Sequence, residues 1–388
     1  MSKQELAQRL GPLRARLPGR AEPLPLASPE SEPELAQIIS TAHDAGLKVL
    51  AVGAGSRLGG SYGCRADLLV STRKLSGVVA YEPGDGTITA LAGTLMSELA
   101  ACARAGGHRL TPDIPRPETA TLGGVLADGL SGGDRLRFGP TRHHVLGMRV
   151  LLADGTITKT GGRLVKNVTG FEMHRLYAGS AGSLCIILEA TMRLFPAPAE
   201  RAFGKIDCGS LEEALHLSAA LSAPPLEPTA ITLSKLNQEW SLSVTLDGRS
   251  ERVNRERSIA EERAPRAEWS LGAEADAAYV NTRDSSPEEG DTASLRVSVR
   301  PSRLHTILKL VLAHAPTARL LAHPAVGTLE LSLDAGSELS TLVTELREAS
   351  ATVRVRGASD DAAPRKTAAL EARLQQALDP EDVFCGRP

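Results

Sequence analysis

The chain has 388 residues, with 44 Lys+Arg set against 46 Asp+Glu for a formal net charge of −2. That length accommodates two domains of about 100–200 residues each, and the balanced charge removes the electrostatic case for a nucleic-acid partner. Aromatic residues make up only 3% of the chain, which excludes base-stacking platforms as well.

The five cysteines, Cys64, Cys102, Cys185, Cys208 and Cys385, are scattered and form no C-x-x-C pair. Neither a structural zinc nor an iron–sulfur cluster is therefore expected in this chain, and a reduced cytosolic setting fits. Met1–Arg20 is charged throughout and lacks the apolar core of a signal peptide. No apolar run approaches the roughly 20 residues of a membrane-spanning helix.

In chain order, residues 1–28 read as an irregular, proline-rich opening segment. From Ser31, Leu35, Ile38, Ile39 and Ala42 recur at helical spacing, with Glu32 and Glu34 at the start and Gly46 just past the end. Lys48–Val52 is a short strand that runs into Gly53-Ala54-Gly55-Ser56-Arg57-Leu58-Gly59-Gly60. The glycine spacing is G-x-G-x-x-x-G rather than the dinucleotide fingerprint G-x-G-x-x-G, and Gly60-Ser-Tyr-Gly-Cys follows where a helix belongs. Alone, this loop reads either as a phosphate nest or as an ordinary turn.

Asp67–Ser71, Gly77–Tyr81 and Thr87–Ala92 are expected strands, and Leu95–Ala105 a helix closed by Gly106-Gly107. A rigid Thr111–Pro117 linker leads to Thr119–Leu130. There Thr121 is a poor cap, and Gly123 and Gly124 open a helix suited either to an anion or planar ring or to close packing. Val145–Ala153 and Thr156–Thr160 form a hairpin through Asp154-Gly155. The preceding His143-His144 pair reads as surface or packing residues, since neighbours on a strand point oppositely.

Gly161–Arg193 carries the strongest pattern: Lys166-Asn167-x-x-Gly170-Phe171, a short helix over Glu172–Tyr177, the turn Gly179-Ser180-Ala181-Gly182, then an apolar strand from Leu184. The loop and the turn together resemble the FAD domain of the p-cresol methylhydroxylase/vanillyl-alcohol oxidase type. Within that group the resemblance, which covers Pro29–Pro196, is strongest to the FAD-binding subunit of bacterial glycolate oxidase.

The resemblance implies an α+β chain. A two-subdomain FAD-binding domain over 29–199 is followed by a ferredoxin-like cap over 200–360, and a C-terminal helix and tail over 361–388 return to the FAD domain. It implies FAD held non-covalently, since Gly53–Gly60 contains no tethering His or Cys, and it places Gly53, Ala54, Gly55, Ser56, Arg57 and Leu58 at the pyrophosphate. Pro115, Thr121, Gly123, Gly124, Ser131, Gly132, Gly139, Gly182, Ile186 and Ile187 would line the rest of the cofactor. It further implies a sister FAD subunit, an iron–sulfur subunit and a small 2-hydroxyacid substrate. Such a protein is cytoplasmic, reaching the inner membrane peripherally through its partners.

Beyond Pro198 the expected elements are a helix over Leu211–Leu221, strands over Ala230–Ser234 and Trp240–Leu246, and a charged helix over Arg249–Arg263. Thr282–Asp291 reads as a polar loop. Ser294–Arg356 then alternates strand–helix–strand–strand–helix–strand, a split βαβ pattern, before a closing helix over Lys366–Leu378.

Related 2-hydroxyacid dehydrogenases carry H-x-G-D-G-N-x-H in the cap, whose histidines bind a substrate-clamping metal. Here the stretch is His323-Pro-Ala-Val-Gly-Thr-Leu-Glu330, so only His323 and Gly327 are kept. His323 and Glu330 face one side only if a bulge or bend intervenes, and no metal site is expected. Lys166 and His323 are the candidates for catalysis: a lysine ammonium beside the flavin would stabilise its anionic reduced form, and a surface lysine is the alternative. The readings are a redox subunit of a glycolate-oxidising assembly, a flavin-binding structural subunit, or a stand-alone FAD oxidoreductase.

Overall fold

The computed structural model describes residues 2–15, 22–56, 66–162, 171–236, 238–285, 294–333, 338–356 and 368–385. Contrary to the irregular opening expected for 1–28, the chain starts with helix α1 (Lys3–Leu10), closed by a Ser2/Glu5 capping box. Strands β1 (Leu13–Ala15) and β2 (Leu24–Ala27) follow. Prolines at Pro12 and Pro25 hid these strands, yet β2 is an integral member of the first sheet. After α2 (Glu32–Asp44), β3 (Val49–Val52) and β4 (Leu68–Ser71), the sheet runs β1-β2-β4-β3, with β4 parallel to both β2 and β3. The central β4 is buried along its whole length, which is why it reads as an unbroken apolar run.

The second subdomain comprises β5 (Val78–Glu82), β6 (Thr87–Leu91), α3 (Met96–Ala105), β7 (His108–Leu110), α4 (Leu122–Asp128), α5 (Arg135–Phe138), β8 (Val145–Leu151), β9 (Ile157–Gly161), α6 (Met173–Tyr177) and β10 (Ile186–Pro196). β10 sits at the centre of its sheet, between β6 and β8, and also pairs with β7. It is buried on both faces. Ile186 and Leu188 pack with Leu35, Ile39 and Val49 of the first subdomain, while Ile187 faces Leu122, Val125 and Val150. A register shift between Ile187 and Glu189 switches parity, so Ala190 and Met192 also join the second core.

The cap begins with β11 (Glu200–Cys208) and α7 (Leu211–Ser222), then β12 (Ala230–Leu236), β13 (Glu239–Gly248), α8 (Ser250–Arg263), β14 (Glu268–Leu271) and α9 (Gly272–Asp284). It continues with β15 (Ser294–Ser298), α10 (Leu304–His314), β16 (Arg319–His323), β17 (Thr328–Ser332), α11 (Leu339–Glu348) and β18 (Thr352–Arg356). Among the described residues these strands form one antiparallel sheet, ordered β14-β11-β13-β12-β16-β17-β15-β18. β11, β14 and α9 are elements the sequence reading did not register, and α9 replaces the first residues of the expected Thr282–Asp291 loop.

Helix α12 (Ala368–Leu378) then brings the chain back to the first subdomain. There Phe384 is fully buried and bridges Val49. The Asp379 carboxylate accepts from the Val383 and Phe384 N–H groups at 2.9 and 2.6 Å and fixes the final turn. No helix among the described residues is long and apolar enough to cross a membrane.

Candidate functional site: a glycine-lined cleft and a second cavity under the cap

Where β3 ends, the backbone leaves the sheet through Gly53–Ser56, with Gly55 left-handed at φ +78°. Among the described residues, the N–H groups of Ala54, Gly55 and Ser56 donate to no protein acceptor, so the turn presents free donors. Gly53 lies against the start of α4: a Cβ there would sit 2.1 Å from Thr121 Oγ1. Thr121 is a working N-cap rather than a poor one, its side chain accepting from Gly124 N at 3.3 Å.

The same geometry decides what Gly123 and Gly124 do. Leu122 N donates to Thr94 O and Gly123 N to Ala92 O, both at 2.8 Å, and Gly124 N is capped. The first amides of α4 are thus already engaged, and a Cβ on Gly123 would meet Ala92 Cβ at 2.8 Å. Gly123 serves close helix–strand packing along the wall rather than an anion at the helix tip, whereas a Cβ on Gly124 would meet its own cap, Thr121 Oγ1, at 3.1 Å.

Opposite, the turn into β10 holds Ala181 and Gly182 left-handed, at φ +52° and +76°. A left-handed alanine is uncommon, and it faces the space that Gly53–Ser56 faces. One cleft is lined by Gly53, Ala54, Gly55, Ser56, Thr121, Gly123, Gly124, Gly182, Ile186 and Ile187, all residues that the resemblance assigns to the cofactor, together with Thr72, Asp128 and Cys185, which it does not name. Burial pushes the Cys185 thiol well up, so it is an inert wall group. Arg57, Leu58 and Lys166 lie outside the described residues.

Pro115, Ser131 and Gly132 do not line this cleft. They line a second cavity beneath the cap with Thr232, Ser243, Tyr279, Arg283, His323 and Glu330. Gly139 lines neither: it turns at φ +83°, with His143 Nδ1 the atom nearest its Cβ position. Gly133 lets the domains approach, since a Cβ there would lie 3.1 Å from His323 Cε1.

The bend that would bring His323 and Glu330 together is present. His323 ends β16, Val326 and Gly327 donate back to His323 O, and Glu330 on β17 pairs with Leu321. Leu321 and His323 are two apart, so His323 and Glu330 share a sheet face. Burial holds His323 below the ordinary imidazole range against the opposing pull of Glu330, and its Nδ1 lies 3.3 Å from Thr232 Oγ1. Among the described residues no three metal-ligating side chains cluster. Arg283 is held by Asp113 at 2.7 Å and by Asp284 at 2.8 Å. The Tyr279 hydroxyl is buried with no partner, its proton held by burial and then by Asp113 and Asp134. His144 is buried and meets Phe195 edge-on, whereas His143 is exposed, in keeping with surface and packing roles.

Behind the Ser131–Gly133 turn, Asp134 is buried with Oδ1 unpartnered and Oδ2 accepting from Asp113 N at 3.1 Å. Burial, and then the Asp113 carboxylate, raises its pKa from 3.8 to about 7. A folded-state pKa above the unfolded one means the native state holds the proton more tightly. The resulting stability is full below about pH 3.8 and lost as pH rises through about 7. Asp134→Asn should therefore raise the melting temperature more at pH 8 than at pH 5, by roughly 2–4 °C for each kcal/mol recovered. Equal shifts at both pH values in thermal denaturation would show that Asp134 does not titrate between them.

Comparison with known proteins agrees with this geometry. Residues 23–161 match the model of an FAD binding domain. The chain is 31% identical over 200 residues to the D-lactate dehydrogenase of Archaeoglobus fulgidus, covering 51% of this chain and 45% of that protein. It is 35% identical over 151 residues to glycolate oxidase subunit GlcE of Escherichia coli, covering 39% of this chain and 43% of that one. It is also 28% identical over 172 residues to glycolate oxidase subunit GlcD of Bacillus subtilis, covering 44% and 37%. The chain thus spans less than half the length of each of these relatives. An alkyldihydroxyacetonephosphate synthase structure superposes with TM-score 0.70 at 17% identity, over 94% of this chain and 77% of that one, which shows the shared fold. The architecture is the two-subdomain FAD-binding fold with a cap, and FAD is the cofactor. Free turn amides, the open space at the Cβ position of Gly182 and an inert thiol fit that group.

Proposed function

We propose that the chain is the FAD-holding redox subunit of an assembly that oxidises glycolate or a similar 2-hydroxyacid. A sister flavoprotein performs the substrate chemistry, and an iron–sulfur subunit takes the electrons onward. Gly53, Ala54, Gly55 and Ser56, together with Arg57 and Leu58, hold the pyrophosphate non-covalently, and Thr121, Gly182, Ile186 and Ile187 line the nucleotide. The placement of Pro115, Ser131 and Gly132 in the second cavity supports a flavin whose ring end reaches the cap. Bound there, FAD accepts an electron pair and passes electrons on singly.

One observation carries this reading. Among the described residues the wall of the second cavity offers no free cation for a substrate carboxylate, because Arg283 is already neutralised by Asp113 and Asp284 and His323 is kept neutral. A catalytic metal site generally has three protein ligands, and among the described residues this wall presents one histidine and one glutamate. The relatives named as glycolate oxidase subunits and D-lactate dehydrogenase support the substrate class. The protein works in the cytoplasm and reaches the membrane only through partners.

A second reading, a stand-alone oxidoreductase, is favoured by the unpartnered Tyr279 hydroxyl in the cavity wall. It would take an uncharged, hydrogen-bonding substrate rather than a hydroxyacid. Co-expression separates the two. With a metal-motif flavoprotein and an iron–sulfur protein, the three chains should co-purify and oxidise glycolate. A chain that purifies alone, as an active oxidase of neutral alcohols, would favour the second reading.

A further inference from the structure

A third cavity lies where the second subdomain meets the cap, sharing only Asp128 with the FAD cleft. Its wall holds four arginines, Arg135 and Arg142 from the FAD domain and Arg296 and Arg354 from the cap sheet. Arg296 on β15 and Arg354 on β18 are directly opposite each other in register, an arrangement of like charges that by itself opposes strand pairing. Asp128 lies between them, 3.1 Å from Arg296 Nη1 and 3.0 Å from Arg354 Nη1. Arg354 also donates to the carbonyl oxygens of Asp128 and Gly179.

Among the described residues Asp128 is the one acidic side chain in this wall, and Arg296 also reaches Glu330 Oε1, outside the wall, at 3.9 Å. Arg135 and Arg142 form no ion pair with any described residue. Burial, and then the neighbouring Arg142, weakens the hold of Arg135 on its proton, as expected of a cation without its counter-ion. Ser298 and Thr352, opposite each other on the same two strands, add hydroxyl donors. Arg142 is exposed and leaves that side open to solvent.

We propose that this cavity is an anion site, distinct from the FAD cleft, for a small molecule bearing a doubly charged oxyanion, either a phosphate or a dicarboxylate. Guanidinium forks match the planar and tetrahedral oxygens of both groups. A dianion would balance Arg135 and Arg142, with Asp128 continuing to serve the cap pair. Because the site contacts both domains, its occupant ties the cap to the FAD domain.

The test uses holoprotein saturated with FAD, so that the cofactor's own phosphate subsites are filled. Melting temperature is followed against sodium phosphate and sodium malonate, with sodium chloride at matched ionic strength. A rise of a few °C with phosphate, malonate or both, beyond the chloride control, is expected for the wild type. Which salt acts identifies the oxyanion. In the Arg135→Gln/Arg142→Gln double variant that gain should vanish. The salt-free melting temperature should hold or rise, because repulsion is relieved, and the flavin spectrum should be unchanged. Two results would overturn the proposal: equal stabilisation of the double variant, or no wild-type gain over chloride. A loss of flavin in the wild type would count against the FAD assignment and not against this site.

Discussion

Gly55→Val is expected to purify colourless while keeping the far-UV circular dichroism of the wild type. Gly55 sits at φ +78°, where a side chain costs about 1–2 kcal/mol, and most for a β-branched one. That strain alone lowers affinity by about 5- to 30-fold at 1.4 kcal/mol per decade. The larger effect is local. The free N–H groups of Ala54, Gly55 and Ser56 hold their direction only while the turn keeps its left-handed step, and on the proposed placement of the pyrophosphate two methyl groups would stand in its path. Together these effects should reduce flavin content at least a hundredfold. Flavin is read in the supernatant after acid precipitation, where the wild-type cofactor, proposed to be held non-covalently, should appear in full. A variant that retains full flavin would reduce Gly53–Ser56 to an ordinary turn.

Much of the FAD domain was legible because its strands are buried in ways that leave a mark. Leu184–Leu188 reads as an apolar run because β10 has a core on each side, and α2 shows its buried Leu35, Ile38, Ile39 and Ala42 at helical spacing. The cap was harder. In β11 the apolar pattern is broken by Gly204, Lys205 and Asp207, and α9 buries only Ala275 and Tyr279, so neither announces its period. The oversight mattered for function, because α9 supplies Tyr279 and Arg283 to the cavity wall.

His323 and Glu330 illustrate a second limit. Their spacing is wrong for one strand and right for a hairpin, and Pro324 with Gly327, left-handed at φ +78°, was the turn signal available in the sequence. Gly123 and Gly124 illustrate a third. A glycine pair at a helix start is compatible with an anion or with close packing, and only the acceptors Thr94 O and Ala92 O decide for packing.

The second large effect concerns turnover. A metal bound between carboxylate and hydroxyl stabilises the deprotonated alcohol by several kcal/mol, and each 1.36 kcal/mol is tenfold in rate. In this chain His323 and Glu330 share a face, but among the described residues no third ligand joins them, and no protein cation takes the metal's place there, since burial holds His323 neutral and two carboxylates occupy Arg283. Losing that stabilisation slows hydroxyacid oxidation by at least three orders of magnitude. Anaerobic stopped-flow mixing of the isolated, FAD-loaded chain with glycolate or D-lactate, with manganese or zinc supplied, measures this directly. The flavin absorbance should stay constant over minutes, and bleach only when the sister flavoprotein is added. Rapid bleaching of the chain alone, abolished by His323→Ala, would contradict the account and make this chain the catalyst.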